Sequence, residues 1–100
     1  MDISIKQNNN KVELAGALVA DNLDQALVKV KQLIANSDAN KKIEMSFSGI
    51  TKNNSICIAF ILCCLRYAKL LNRQVILINF SKELNDLLDI YNLASVIKVR

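Results

Sequence analysis

Residues 54–73 read NSICIAFILCCLRYAKLLNR, and this stretch decides how the rest of the chain can fold. Ten consecutive apolar residues run from Ile56 to Leu65, without Gly or Pro. Asn54 and Ser55 precede the run, and their side-chain oxygens can accept hydrogen bonds from the free N–H groups of a first helical turn. The stretch therefore predicts a helix of about four turns that begins within about two residues of Ser55.

This central helix carries two apolar stripes rather than the single stripe of an ordinary surface helix. At about 100° per residue, the stripe that can cover a sheet consists of Cys57, Phe60, Ile61, Cys64, Ala68 and Leu71. The second stripe consists of Ile58, Leu62, Leu65 and Lys69, with Arg66 beside it. The second stripe would lie in water unless something covers it, so a helix buried inside its own domain and a docking helix are both open. A membrane span needs about 18–20 apolar residues, and this run is shorter.

The segments around the central helix predict the element order ββαβαβαβ. Alternating apolar residues predict strands at Ile3–Ile5, Val12–Leu14 and Ile43–Phe47, with a buried strand at Val75–Phe80 and an edge strand at Ser95–Val99. Helical spacing predicts one helix capped by Asp21 or Asn22 and another capped by Ser81, while residues 48–53 are expected to form a loop. Strands that alternate with helices imply an α/β domain with a mixed, mostly parallel sheet of about five strands and three main helices. We expect residues 1–100 to form one domain.

The composition removes several classes of function. The chain has no His, which excludes Ser-His-Asp and Cys-His nucleophile systems, and its two Gly cannot build a phosphate-binding loop. The net charge of +4 lacks the dense basic stripe of nucleic-acid-binding proteins. We therefore expect a protein that is not an enzyme and that binds neither nucleic acid nor a cofactor. Residues 1–6 do not resemble a secretory signal, which favours a cytoplasmic protein.

The three cysteines lie within the central helix. Cys57, Cys63 and Cys64 lack the second pair that a zinc site needs, and buried free Cys behaves as a small hydrophobic residue. We expect no metal site and no joint functional role for them.

Ser55 is the residue with the clearest chemical alternative. A phosphate on a hydroxyl at a helix N-terminus would lie close to free N–H groups and the positive end of the helix dipole. Ser55 is therefore either a phosphorylation site or, together with Asn54, part of a simple helix cap.

The chain resembles the STAS domains, the fold of anti-sigma factor antagonists, over nearly its whole length. The resemblance rests on residues 14–18 (LAGAL), 43–46 (IEMS), 50–55 and the apolar helix that follows, and 75–77 (VIL). Within the family the chain is most similar to the Mla branch, the small cytoplasmic subunits of phospholipid-transporting ABC complexes. Residues 87–93 (LLDIYNL) are the feature most specific to that branch.

The chain departs from the family pattern at two places. Asn54 stands where the family has Asp before its Ser or Thr, and Ile56-Cys57 stands where small residues often occur. The earlier Gly-Glu-Leu-Asp pattern is replaced by Gly16-Ala17-Leu18-Val19. The acidic residues of the family are therefore missing at both places, which counts against regulation by phosphorylation. Docking to a partner does not need them, because it depends on shape and apolar area.

The resemblance implies an accessory subunit that binds the ABC ATPase subunit of a lipid transporter and, through it, the membrane permease. The protein would then lie in the cytoplasm, at the inner membrane through its partner, without inserting into the bilayer. The expected partner-binding residues are Asn54, Ser55, Ile58, Leu62, Leu65, Arg66 and Lys69. The alternative is an anti-sigma factor antagonist that is switched by phosphorylation of Ser55. A lipid-binding protein is a weaker third possibility, because nothing in the sequence indicates an internal cavity.

Overall fold

A β-hairpin opens the chain. In the computed structural model, which describes residues 3–38 and 40–97, β1 (Ile3–Asn8) pairs antiparallel with β2 (Lys11–Gly16). Asn9 turns the chain with a φ of 54°, a left-handed conformation that Asn tolerates better than most residues. The hairpin places Val12 and Leu14 of β2 in the core.

Two strand–helix–strand crossover units follow the hairpin and build the rest of the sheet. Helix α1 (Ala20–Ala35) leads to β3 (Ile43–Ile50), and helix α2 (Ser55–Leu70) leads to β4 (Val75–Ile78). Strands β2, β3 and β4 are parallel, and the described strands have the order β1-β2-β3-β4. Helix α3 (Lys82–Ile90) completes the described fold. The mixed, mostly parallel sheet with three helices is confirmed, with four strands rather than five in the described residues.

Gly49 allows β2 and β3 to approach closely where their register shifts between Glu13 and Ala15. A Cβ atom on Gly49 would lie 2.7 Å from the carbonyl oxygen of Leu14 and 2.8 Å from Cβ of Ala15. Any larger side chain would have to displace the backbone of β2. Gly49 is therefore required by packing at this point of the sheet.

The start of α1 differs from the prediction. Val19, not Asp21 or Asn22, occupies the N-cap position. Asn22 lies inside the first turn, where its Oδ1 accepts from Val19 N at 2.9 Å and its Nδ2 donates to Ala17 O at 2.8 Å. Asn22 is buried, so its side chain links the helix to the preceding loop instead of capping the helix from outside.

The strands at the C-terminal side also differ from the prediction. The predicted strand at Val75–Phe80 ends at Ile78, because Asn79 has a φ of 63° and leaves the ladder. Of its residues only Leu77 is fully buried, since β4 is an edge strand of the described sheet. The predicted strand at Ser95–Val99 is wrong for residues 95–97, which form a turn closed by Ile97 N donating to Leu93 O at 2.8 Å. Residues 98 and 99 lie outside the described residues.

The core fills the space between the sheet and the helices. Its largest fully buried side chains include Leu14, Met45, Phe60, Ile61 and Leu84, so strands β2 and β3 and helices α2 and α3 all contribute. No helix among residues 3–38 and 40–97 is long and apolar enough to cross a membrane. Helix α2 supplies the largest share of apolar residues and presents its remaining surface to the outside.

Candidate docking site on helix α2

The first turn of α2 is fixed by Asn54. Its Oδ1 accepts hydrogen bonds from the backbone N–H of Ile56 at 3.0 Å and of Cys57 at 3.3 Å, and the helix begins at Ser55. The predicted start of the central helix is confirmed. Asn54 provides the cap, so the Ser55 hydroxyl is not needed for it, and Ser55 is exposed at the helix end.

The stripe predicted to cover the sheet is buried almost completely. Cys57, Phe60, Ile61, Cys64 and Ala68 are at most 2% exposed, and Leu71, the cap residue at the far end, is half-buried.

The second apolar stripe does not lie in water along its whole length. Ile58 is 5% exposed and belongs to the core, which corrects the expectation that it faces outward. Leu62 and Leu65 are half-buried and pack against the core. The reason is that α3 and the segment after it lie against this side of α2. Ile58 therefore packs mainly inside the folded domain and leaves only a small part of its surface open.

An open groove runs between the first half of α2 and the segment that follows α3. It has a volume of about 330 Å³ and is lined by Ser55, Ile58, Ala59, Leu62, Tyr91 and Leu93. Ile58 forms its floor, whereas Ser55, Ala59 and Tyr91 are exposed at its margins. The groove is apolar except for the Ser55 hydroxyl and the tip of Tyr91. Its shape suits a small apolar side chain of a partner better than a hydrophilic ligand.

A backbone turn brings the far wall of the groove into place. Asn92 has a φ of 57°, and Leu93 N donates to Leu88 O at 2.8 Å, so the chain reverses directly after α3. This reversal directs Leu93 towards α2, and Tyr91 remains 48% exposed. The family resemblance draws attention to residues 87–93, but the sequence gives no signal that Tyr91 and Leu93 face Ser55.

Arg66 and Lys69 lie apart from the groove. Arg66 lines a second, smaller cleft of about 130 Å³ between α1 and α2, together with Lys31, Cys63, Tyr67 and Leu70. The Nζ atom of Lys31 is 5.5 Å from the centre of the Tyr67 ring. Lys69 is exposed near the end of the helix. The residues predicted as one site therefore divide into a group at the start of α2 and a cationic group towards its end.

The thiols of Cys57 and Cys64 are poorly suited to nucleophilic catalysis. The pKa of Cys64 is raised to about 12, mainly by burial and to a smaller extent by the neighbouring Cys63, while Lys31 lowers it. Burial also raises the pKa of Cys57, and a backbone hydrogen bond at Asn54 offsets part of this rise. The Sγ atom of Cys57 donates a hydrogen bond to Lys52 O at 3.2 Å. A thiol with a raised pKa is protonated at neutral pH and is a weak nucleophile. Within the part of the chain that the structure describes, no cluster of three side chains could hold a metal ion.

Comparison with known proteins gives a match only at the level of structure. No family model matches the sequence, and no curated protein matches it. The anti-sigma factor antagonist SpoIIAA in its unphosphorylated form superposes with a TM-score of 0.71 at 16% identity, covering 99% of this chain and 88% of that chain. SpoIIAA of Bacillus in its phosphorylated form gives 0.68 at 16% identity, covering 99% and 91%. An anti-sigma factor antagonist from Mycobacterium paratuberculosis gives 0.75 at 8% identity, covering 98% and 83%. The chain therefore has the STAS fold of the anti-sigma factor antagonists.

Proposed function

We propose that this protein is a non-enzymatic binding subunit whose docking site is the groove at the start of α2. In its specific form the proposal is an MlaB-like accessory subunit that binds the MlaF-like ATPase of a phospholipid-transporting ABC complex and supports its assembly or activity. The observation that carries the proposal is an open apolar groove, bordered by Ser55, on the strongly apolar first half of α2. The similarity of residues 87–93 to the Mla branch supports the choice of partner, because Tyr91 and Leu93 form the far wall of this groove.

The exposure of the lining residues sets the expected strength of docking. A fully buried Leu contributes about 1.5–3 kcal/mol relative to an exposed one. Leu62 and Leu93 are already half-buried, so only part of this amount is left for a partner. The groove is therefore proposed as the centre of a larger interface that also covers Ser55, Ala59 and Tyr91. The flanking contacts and the apolar centre must together offset the free-energy cost of association, which comes from lost translational and rotational freedom.

The cationic end of α2 gives this interface an orientation. Arg66 lies eleven residues after Ser55, which corresponds to about 16 Å along a helix. Lys69 is one turn further on, and both side chains are exposed. Charges at the margin of an interface affect the association rate and the orientation more than the affinity. The proposed partner surface is apolar opposite the groove and acidic where it faces Arg66 and Lys69.

The second candidate is an anti-sigma factor antagonist that is controlled by phosphorylation of Ser55. The exposed Ser55 hydroxyl favours it, because a kinase can reach a side chain that the helix cap does not use. The similar structures are antagonists, including one in a phosphorylated form. The substitution of the family's Asp by Asn54 counts against it.

Binding to two purified candidate partners from the same organism distinguishes the alternatives. One is the ATPase subunit of the lipid-transporting ABC complex, and the other is a kinase-like anti-sigma factor. Isothermal titration calorimetry with the purified chain should give saturable binding to the ATPase and none to the anti-sigma factor. Binding to the anti-sigma factor alone, with transfer of phosphate from ATP to Ser55, would replace the first proposal by the second. If the ATPase binds, the protein is placed at the inner membrane through its partner.

A further inference from the structure

The end of the domain opposite the groove is strongly basic. Strands β2, β3 and β4 are parallel and begin at this end, and α1 and α2 both end here because each leads into the start of the next strand. Ile43 N donates to Gln74 O at 2.9 Å, which holds the segments before β3 and β4 side by side. These connections bring together six cations, Lys31, Lys41, Lys42, Arg66, Lys69 and Arg73. We refer to these six residues together as the basic end.

Few acidic side chains offset this charge. Asp38, Glu44 and Glu13 are acidic residues near the basic end, and Asp38 Oδ1 accepts a hydrogen bond from Asn40 N at 2.9 Å. Within residues 3–38 and 40–97, the ion pairs are Lys11 with Glu13 and Lys82 with Asp86, so the six cations form none there. Glu83 lies in the first turn of α3, which follows the end of β4 and so begins at the opposite end of the sheet. The domain therefore has a charge asymmetry that would orient it on an anionic surface.

An exposed apolar side chain lies among these cations. Leu70 is 76% exposed in the last turn of α2, between Lys69 and Arg73 in the sequence. It also borders the small cleft of about 130 Å³ that Lys31 and Arg66 line, a space that can accept a phosphate group. An exposed Leu surrounded by Lys and Arg fits the interface of a bilayer, where anionic headgroups lie next to apolar chains.

We infer that the basic end contacts the anionic headgroups of a phospholipid bilayer, with Leu70 entering the interfacial region. The cations come from α1, from the segment before β3 and from the end of α2, and most are flexible Lys side chains. A fluid lipid surface can adapt to such a distribution without fixed carboxylate positions. Arg66 and Lys69 are shared with the margin of the proposed docking site, whereas Leu70, Lys41 and Lys42 lie outside it. Within this region the vesicle test changes only these three residues, so its outcome does not depend on the ATPase partner.

Sedimentation with vesicles tests the inference. The probes are vesicles of phosphatidylcholine with about 30% phosphatidylglycerol and vesicles of phosphatidylcholine alone, at about 0.1 M salt, where the Debye length is about 10 Å. The wild-type chain should sediment with the anionic vesicles and not with the neutral ones. Each cation near an anionic surface increases partitioning about fivefold, so Lys41→Gln with Lys42→Gln should reduce it about 25-fold. Leu70→Gln should reduce it about tenfold.

A matched pair of substitutions separates local contact from net charge. Lys6→Gln with Lys52→Gln removes the same charge from exposed sites away from the basic end and should change partitioning by less than about threefold. All changed side chains are exposed, and circular dichroism checks that each variant folds. The inference would be overturned if the two double variants lost vesicle partitioning equally, or if the wild-type chain did not sediment with anionic vesicles. Binding to polyglutamate but not to vesicles would overturn it in favour of an acidic protein partner.

Discussion

The side chain of Asn79 donates a hydrogen bond from Nδ2 to Oγ of Ser46 at 2.9 Å and so ties the residue after β4 to the interior of β3. Ser46 is 1% exposed, and its hydroxyl also lies 3.2 Å from Oγ of Ser48. Asn79 has a φ of 63°, so one residue ends the edge strand and satisfies a buried hydroxyl. Of the common residues, Asn combines a tolerance for this backbone conformation with a side-chain donor.

Replacing Asn79 should separate these two roles. Asn79→Gly keeps the left-handed conformation and loses the hydrogen bond, which should lower the free energy of unfolding by about 1 kcal/mol. Asn79→Ala adds the backbone strain and should cost about 1–2 kcal/mol more. Urea denaturation measures both values. An Ala variant as stable as the Gly variant would show that the backbone conformation at this site relaxes without cost.

The cap of α2 gives a second prediction. Asn54→Ala removes the acceptor for the N–H groups of Ile56 and Cys57 and should destabilise the protein by about 1 kcal/mol. Asn54→Asp keeps an acceptor oxygen and adds a negative charge at the positive helix end, so it should be at least as stable as the wild-type protein. Thermal unfolding of the two variants provides the measurement. A destabilised Asp variant would indicate that the Asn54 amide group makes a contact of its own.

The groove predicts the effect of a charge at its centre. Leu62→Asp should abolish binding to the ABC ATPase subunit, because docking would bury an unpaired carboxylate. Val28→Asp, on the exposed face of α1 and 57% exposed, is the matched control and should bind normally. Calorimetry with folded variants decides the outcome. Unchanged affinity of Leu62→Asp would remove the groove from the interface.

Ser55 should tolerate loss of its hydroxyl but not a phosphate. Ser55→Ala should bind the ATPase with nearly wild-type affinity, because Asn54 already caps the helix. Ser55→Glu, or the phosphorylated chain, should bind more weakly, since the added charge must lose water at the margin of an apolar groove. Ser4→Glu on the exposed side of β1 is the control. Equal affinities of the phosphorylated and unmodified chains would place Ser55 outside the contact.

Cys64 predicts a pH dependence of stability. Burial raises the pKa of its thiol from 9.0 to about 12, so the folded state keeps a proton that the unfolded chain releases. The stabilising contribution is therefore complete below pH 9 and is lost as the pH rises from 9 to about 12. Cys64→Ala should lower stability by about 1–2 kcal/mol at pH 7 and show a shallower decline above pH 9. Parallel slopes of the two proteins in alkaline denaturation would contradict this.

Local chemistry explains which parts of the fold were predictable. The start of α2 follows from Asn54, and the start of α3 follows from Ser81, whose Oγ accepts from Leu84 N at 3.1 Å. Both caps depend on residues within one helical turn. The end of β4 does not follow from the apolar pattern, which continues to Phe80, because Asn79 adopts a left-handed backbone conformation and ends the strand at Ile78.

The candidate site was predictable only in part, because it depends on contacts between distant segments. The sequence identifies Ser55 and Leu62 as lying on the outer side of α2. It does not show that Leu93 returns to that helix, which requires the turn at Asn92, nor that Ile58 is covered as a result. It also groups Arg66 with the apolar stripe, whereas packing of α1 against α2 places Arg66 on a separate cleft.

The burial of Ile58 beneath the groove has a consequence for how this domain can change its partners. Ile58 belongs to the core, so a substitution there alters folding before it alters recognition. Ala59 and Tyr91 are exposed on either side of it and can be exchanged with little effect on stability. Evolution of a new specificity is therefore expected to proceed through the margins of the groove, while its floor stays constant. Two descendants of this chain could then serve different complexes and still fold with the same interior.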